Sequence, residues 1–314
     1  MNYRIYVISI VCFAAAAFLS CSKDPGADGT IRLGYLQNDL HHLPAFVALE
    51  KGLYQKAGLS IEVAGIFRAG PEEMSAFASG DLDLGYVGQA PATAAFLNRV
   101  ADVKFIAQVN REGSAIVIAK DAQISSLGDL AGKSIAIPGH ATMQDFLLKK
   151  ALKDLSPGKK AVVPIVLKPP EMLSALGLNN IDAFIAWEPY PSQALASGKG
   201  RVLMQSSSIW KNHPCCVLVV SAAYCAKYPE RIKKIQLVHR QACDYINKNN
   251  DAAIDIGMRY TGMNRDVVTR ALDNIQFASE INRDYAGAFI DFLIDMRYIK
   301  AGPGVRSIKD LFYE

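Results

Sequence analysis

"FASGDLDLGYVGQAPA", residues 77–92, carries one complete change of structure. Its start closes the segment "PEEMSAFASG" (71–80), which opens on Pro and two acids and ends on Gly, the order a helix prefers. "LDLGYVG" (82–88) then reads as a strand, and "APATAAFLNR" (90–99) returns to helix with Pro near its start. Upstream, "IRLGYLQ" (31–37) predicts a buried strand, "LPAFVALEKGLYQKAG" (43–58) an amphipathic helix stopped at Gly58, and "LSIEVAGI" (59–66) a second strand. Downstream, "VKFIAQVN" (103–110) and "SAIVIAKD" (114–121) are strongly β-like. Strands alternating with helices predict an α/β fold, with a largely parallel sheet covered by helices on both faces.

Near residue 127 the order begins again. "LGDLAGKSIAIPG" (127–139) predicts a short helix and a strand, "HATMQDFLLKKALKDL" (140–155) a helix and "AVVPIVLKP" (161–169) a strand. "PEMLSALGLNN" (170–180) predicts a helix, "IDAFIAWEPY" (181–190) a strand leaving into a loop, and "RVLMQSS" and "CCVLVVS" further strands. From Tyr228 onward the chain reads as helices to its end. Two similar α/β units followed by a helical tail predict two Rossmann-like lobes. The chain passes between them twice, near 111–118 and 213–221, which makes a two-strand hinge with a ligand cleft between the lobes. The expected divisions are residues 30–115 plus 218–314 for lobe 1 and 116–217 for lobe 2.

The chain has 314 residues, of which 51% are hydrophobic, enough for two sizeable cores. Residues 1–20 combine a short basic start with the apolar run "IYVISIVCFAAAAFL" and read as a secretory signal. "FLSC" resembles a bacterial lipobox, with Phe18 where Leu is usual, so Cys21 is expected to be the lipidated first residue of the mature protein. Residues 21–29 then form a polar tether. Without Arg4 the formal charge falls from +4 to +3, and no basic run suggests nucleic acid. The expected location is outside the cytoplasmic membrane, held by lipid, as a monomer.

"LPAFVALEKGLYQKAGLSIEV", "FASGDLDLGYVGQAPA", "SSLGDLAGKSIAIPG" and "IDAFIAWEPYPSQAL" together resemble periplasmic-binding proteins of the nitrate/sulfonate/taurine type, the SsuA-like and NMT1/THI5-like group. In the third segment Ala131 stands where that group usually has Lys. The resemblance covers residues 31 to about 240 and implies a type II periplasmic-binding-protein fold that delivers a small solute to an ABC permease. In such folds, loops at strand ends line the cleft. This points to Gln37, Asn38 and His41 after the first strand, Gly88 and Gln89 before a helix, Ser114 near the first crossing, and Gly139, His140 and Thr142 before the long middle helix. Helix N-termini offer unpaired N–H groups and partial positive charge, which suits a small oxyanion. Each of these residues has helix capping or packing as its competing role. In "AWEPYP" (186–191), Trp187 is expected as an aromatic wall and Glu188 as an acceptor for an amine, against core packing and helix initiation. Arg68 and Arg111 could pair a carboxylate or sulfonate, but solvated surface is the stronger reading for both.

"NHPCCVLVVS" (212–221) raises the question of metal. Neighbours in a regular strand face opposite ways, so Cys215 and Cys216 are not expected to share an ion, and a disulfide between them would be strained. Cys215 is expected to face the cleft, as packing or as ligand contact. His41, His42, His140 and His213 fall in predicted cleft loops, but their spacing is unlike a metal motif. Imidazoles converging with one thiolate would suit zinc or iron and stand as the alternative, but no metal or cofactor is expected. No Ser-His-Asp elbow, P-loop or paired-carboxylate motif is visible, so capture without chemistry is expected. The alternative is a THI5-like thiamine-pyrimidine synthase, or a binder of a thiamine or pyrimidine precursor. Such synthases carry a longer cysteine run where "PCC" stands here, and this chain has an export signal.

Overall fold

The computed structural model describes residues 29–153, 160–283, 285–299 and 306–314. The signal, Cys21 and nearly all of the tether lie outside the described residues.

Gly34 and Gly85, inside the first and third strands, leave room for the side chains that cross them, and the chain around them is apolar enough to be buried on both faces. The chain runs β1 (Ile31–Leu36), α1 (Leu43–Glu50), α2 (Leu53–Lys56), β2 (Ile61–Phe67), α3 (Gly70–Ala78), β3 (Leu84–Gly88), α4 (Gln89–Leu97) and β4 (Val103–Glu112). It continues through β5 (Ser114–Ala119), β6 (Ser134–Ile137), α5 (Met143–Leu152), β7 (Val163–Val166), α6 (Pro169–Gly177), β8 (Ala183–Trp187), α7 (Tyr190–Ala196) and β9 (Gly200–Gln205). After α8 (Ser206–Ile209) come β10 (Pro214–Ser221), α9 (Ala222–Lys227), α10 (Pro229–Lys248), α11 (Asn250–Thr261), α12 (Arg265–Leu272), β11 (Ile275–Phe277) and α13 (Tyr285–Asp295).

The strands form two sheets, ordered β11-β4-β10-β3-β1-β2 and β7-β6-β8-β5-β9. The expected α/β fold with two lobes is what the chain adopts. The sheets are mixed, where largely parallel ones were expected. β1 pairs parallel with β2 and β3, and β6 with β7 and β8. The strands at the crossings pair antiparallel: β10 with β3 and β4, and β5 with β8 and β9. A strand arriving from the other sheet is not tied to its neighbour by a βα crossover, so nothing forces it to run parallel.

The chain leaves the first sheet after Glu112 and enters the second at Ser114, with only Gly113 between. It returns from β9 through α8 to β10. The expected divisions after residues 115 and 217 fall inside β5 and β10, each of which belongs whole to one sheet. α10 buries Ile232, Ile235, Val238, His239, Ala242, Cys243 and Ile246, a three-and-four spacing that lays one stripe on the first sheet's core. No helix among the described residues is long and apolar enough to cross a membrane.

Candidate functional site

The cleft is assembled from strand ends of both sheets. The first sheet supplies the loop after β1, the start of α3, the β3–α4 junction and the start of β10. The second supplies the start of α5 and the end of β8. Between them lies a cavity of about 20 Å³, lined by Leu36, Asp39, His41, Gly70, Gly88, Pro91, Thr142, Met143, Gln144, Trp187, Cys215 and Cys216. Trp187 also walls a 220 Å³ mouth lined by Gln37, Arg68, Lys168 to Glu171 and Tyr190. A larger hollow, about 750 Å³, lies at the opposite ends of β5 and β8, around Ala119 and Ile181. It belongs to the second sheet alone and has no contribution from the residues that bridge the sheets.

The expected residues separate into three sets. His41, Gly88, Thr142, Trp187 and Cys215 line the inner cavity, and Gln37 lines the mouth. Thr142 fills its competing role as well, since its Oγ1 accepts from Asp145 N–H and donates to the Gly139 carbonyl. Gln89 and Ser114 are buried beside the cleft without lining it. Ser114 Oγ accepts from the Gln144 amide, and its N–H donates to Ser206 Oγ, so it braces both crossings. Asn38, Gly139, His140 and Glu188 lie outside both cavities. His140 is 61% exposed, and Asn38 takes φ +54° in the turn after β1. Glu188 is 1% exposed and accepts from Ser192 N–H and the Asn274 amide.

The cysteines overturn the expectation of opposite faces. Pro214 pairs with Arg111 and Cys216 with Asn110, which leaves Cys215 as an extra residue in β10. A bulge of this kind breaks the two-residue alternation. Both sulfurs then approach one nitrogen: His41 Nδ1 is 3.4 Å from Cys215 Sγ and 3.7 Å from Cys216 Sγ. The side chains of Asn110 and Gln108 satisfy the Cys216 backbone N–H and carbonyl that the bulge displaces.

Charge in this corner is tightly linked. Burial pushes the Asp39 carboxyl up to about 7 against the pull of His41 and its N–H. Burial disfavours the His41 imidazolium, but the charges of Cys215 and Asp39 outweigh it and raise the ring to about 9. Hydrogen bonding from Cys216, with the charge of His41, draws the Cys215 thiol well below its ordinary value. Burial pushes Cys216 well above.

Sequence reasoning missed Asp39, Gly70, Pro91, Gln144 and Cys216 as lining residues, and Lys168 at the mouth. Asp39 sits inside the loop "QNDLHH" already singled out, and Gln144 inside "GHATMQ". Gly70 and Pro91 come from different helices, and only the fold brings them together.

The sequence profile of the NMT1-like family matches residues 24–257. The chain belongs to this family. Beyond this match, the NMT1-like chain is 27% identical over 289 residues to a candidate aliphatic-sulfonates-binding protein of Bacillus subtilis (strain 168), covering 88% of this chain and 84% of that protein. Its fold is similar to the solved alkanesulfonate-binding protein of Xanthomonas axonopodis pv. citri bound to MOPS, with TM-score 0.78, 20% identity, and 91% and 98% of the two chains covered. It is also similar to the periplasmic nitrate-binding protein of Synechocystis PCC 6803, with TM-score 0.77, 19% identity, and 90% and 86% covered.

Proposed function

We propose that this NMT1-like protein is an exported, lipid-anchored solute-binding protein that captures a small anion, of sulfonate or nitrate type, by lobe closure and delivers it to an ABC permease. The observation that carries the reading is the convergence of three helix N-termini on one cavity. α3 begins at Gly70, α4 at Gln89 after Gly88, and α5 at Met143 after Thr142. Two come from the first sheet and one from the second. Each brings the partial positive charge of its helix dipole to the cavity wall. Arg68 and Lys168, one from each sheet, flank the mouth and favour approach of an anion. The inner cavity is about the size of one water molecule, so a sulfonate enters only if the lobes part. Ligand contacts to both sides then favour the closed state.

Relatives named for binding sulfonates support this reading over catalysis. The runner-up, a THI5-like enzyme or a binder of pyrimidine precursors, draws on the His41–Cys215–Cys216 corner. Calorimetric titration with taurine, methanesulfonate, nitrate and a hydroxymethylpyrimidine separates the two. The expected result is saturable one-to-one binding of an anion, weakened more than about tenfold by Trp187→Ala, a loss of about 1.4 kcal/mol or more. Binding of the pyrimidine alone, or turnover of pyridoxal phosphate with iron, would replace the reading with the runner-up.

A further inference from the structure

We propose that His41, Cys215 and Cys216 form a three-donor site, open to a fourth ligand from solvent, for a thiophilic divalent cation of the zinc class at the floor of the cleft. The ligand atoms of His41, Cys215 and Cys216 all lie within 4.8 Å of one another and are buried. Zinc bonds of about 2.3 Å to sulfur and 2.0–2.1 Å to nitrogen, at a tetrahedral angle, set S and N about 3.6 Å apart. The two observed separations, 3.4 and 3.7 Å, bracket that edge. Asp39 Oδ1 stands 3.7 Å from the same His41 nitrogen and brings a carboxylate beside the three donors.

The tautomer is set from outside the cluster. His41 Nε2 lies 2.8 Å from the Gly113 carbonyl, which only accepts, so Nε2 carries a proton and Nδ1, once deprotonated, is the ring atom that faces the sulfurs. His42 is built the other way. Its Nδ1 accepts from Leu36 N–H, so Nε2 carries its proton. That nitrogen has no hydrogen-bond partner and sits 3.8 Å from Asp39 Oδ2. With its proton on Nε2, that nitrogen has no lone pair to offer a metal, which selects the triad on His41 over the alternative grouping of Asp39, His42 and Cys216.

The bulge at Cys215 is the device that turns two adjacent thiols toward one point, and thiolates with imidazole select a zinc-class ion over magnesium or calcium. Loading forms two metal–sulfur bonds and one metal–nitrogen bond, releases to solvent the protons that the Cys215, Cys216 and His41 ligand atoms hold, and moves no electron. The competing account is a thiol–imidazole hydrogen bond with no affinity for metal.

The test uses the full-length chain carrying Cys12→Ser and Cys21→Ser, stripped with chelator and titrated with Co²⁺ alone, then Zn²⁺. The expected result is one Co²⁺ per chain with a thiolate-to-cobalt charge-transfer band and tetrahedral visible bands, displaced by Zn²⁺. Cys215→Ser and Cys216→Ser each weaken binding more than about tenfold, while Cys243→Ser does not. Circular dichroism confirms that the variants fold. Independently, Zn²⁺ slows alkylation of Cys215 and Cys216 in the otherwise unaltered protein. Absence of the charge-transfer band at one equivalent, its persistence in both serine variants, or alkylation unchanged by Zn²⁺ would overturn the site.

Discussion

Glu188 follows Trp187 in the chain, yet the two side chains do different work. Trp187 walls the cleft, and the Glu188 oxygens accept from Ser192 N–H and Asn274 behind it. Burial raises the Glu188 carboxyl from its ordinary 4.5 to about 7, against those hydrogen bonds and the charge of His41. Between these values the unfolded chain has lost a proton that the folded chain retains. Stability therefore falls as pH rises through this window and levels off above 7. The shift corresponds to about 3 kcal/mol. Glu188→Gln removes this dependence, so in urea unfolding its stability relative to the parent should rise by about 2–3 kcal/mol from pH 4.5 to 7.5. A difference that stays flat with pH would contradict the assignment. Trp187 and Cys215 were legible as cleft residues because each sits where a strand meets a loop. Cys216 was not, because its direction depends on a bulge, and a bulge changes one local pairing without leaving a mark in the hydrophobic pattern.

Among the elements, the predicted helix over 43–58 is divided at Gly52, whose φ of +61° ends α1 and starts α2. The apolar spacing runs through that point, so periodicity alone could not mark it. β11, three residues in a tail read as wholly helical, exists because β4 presents an open edge to Ile275–Phe277. The crossing at Gly113 is the element with the strictest demand. Its φ is +84°, and a Cβ there would stand 2.4 Å from His41 Nε2 and 2.9 Å from Ile275 Cγ1. Its carbonyl accepts both from His41 and from Glu188 N–H, tying the loop after β1 to the end of β8 across the hinge. Gly113→Ala should cost about 2–4 kcal/mol from the left-handed backbone and the clash together. Chemical unfolding checks this, and a loss below about 1 kcal/mol would show that the hinge tolerates a side chain.

At the scale of the whole molecule, the alternation of strands and helices and its restart near residue 127 carried the two-lobed architecture, and chain order carried the two crossings. What sequence could not supply was the pairing direction of the crossing strands, which depends on where the chain re-enters each sheet. The inner cavity is also a property of the assembled molecule, since it takes Gly70 and Pro91 from one sheet and Met143 and Gln144 from the other. The central claim is that these lobes part and close on a small solute. It is tested most directly by the distance between spin labels placed at exposed Ser79 and Ser174, one on each lobe, through Ser79→Cys and Ser174→Cys in the chain carrying Cys12→Ser and Cys21→Ser. The other four cysteines are buried, and the same chain without Ser79→Cys and Ser174→Cys, labelled in parallel, corrects for label taken up at Cys215 and Cys216 when the cleft opens. Without solute, a broad or long distance distribution is expected, and addition of taurine, methanesulfonate or nitrate, or of a small-molecule extract of the source cells, should collapse it to one short distance. A single narrow distance, identical with and without every one of these, would contradict it.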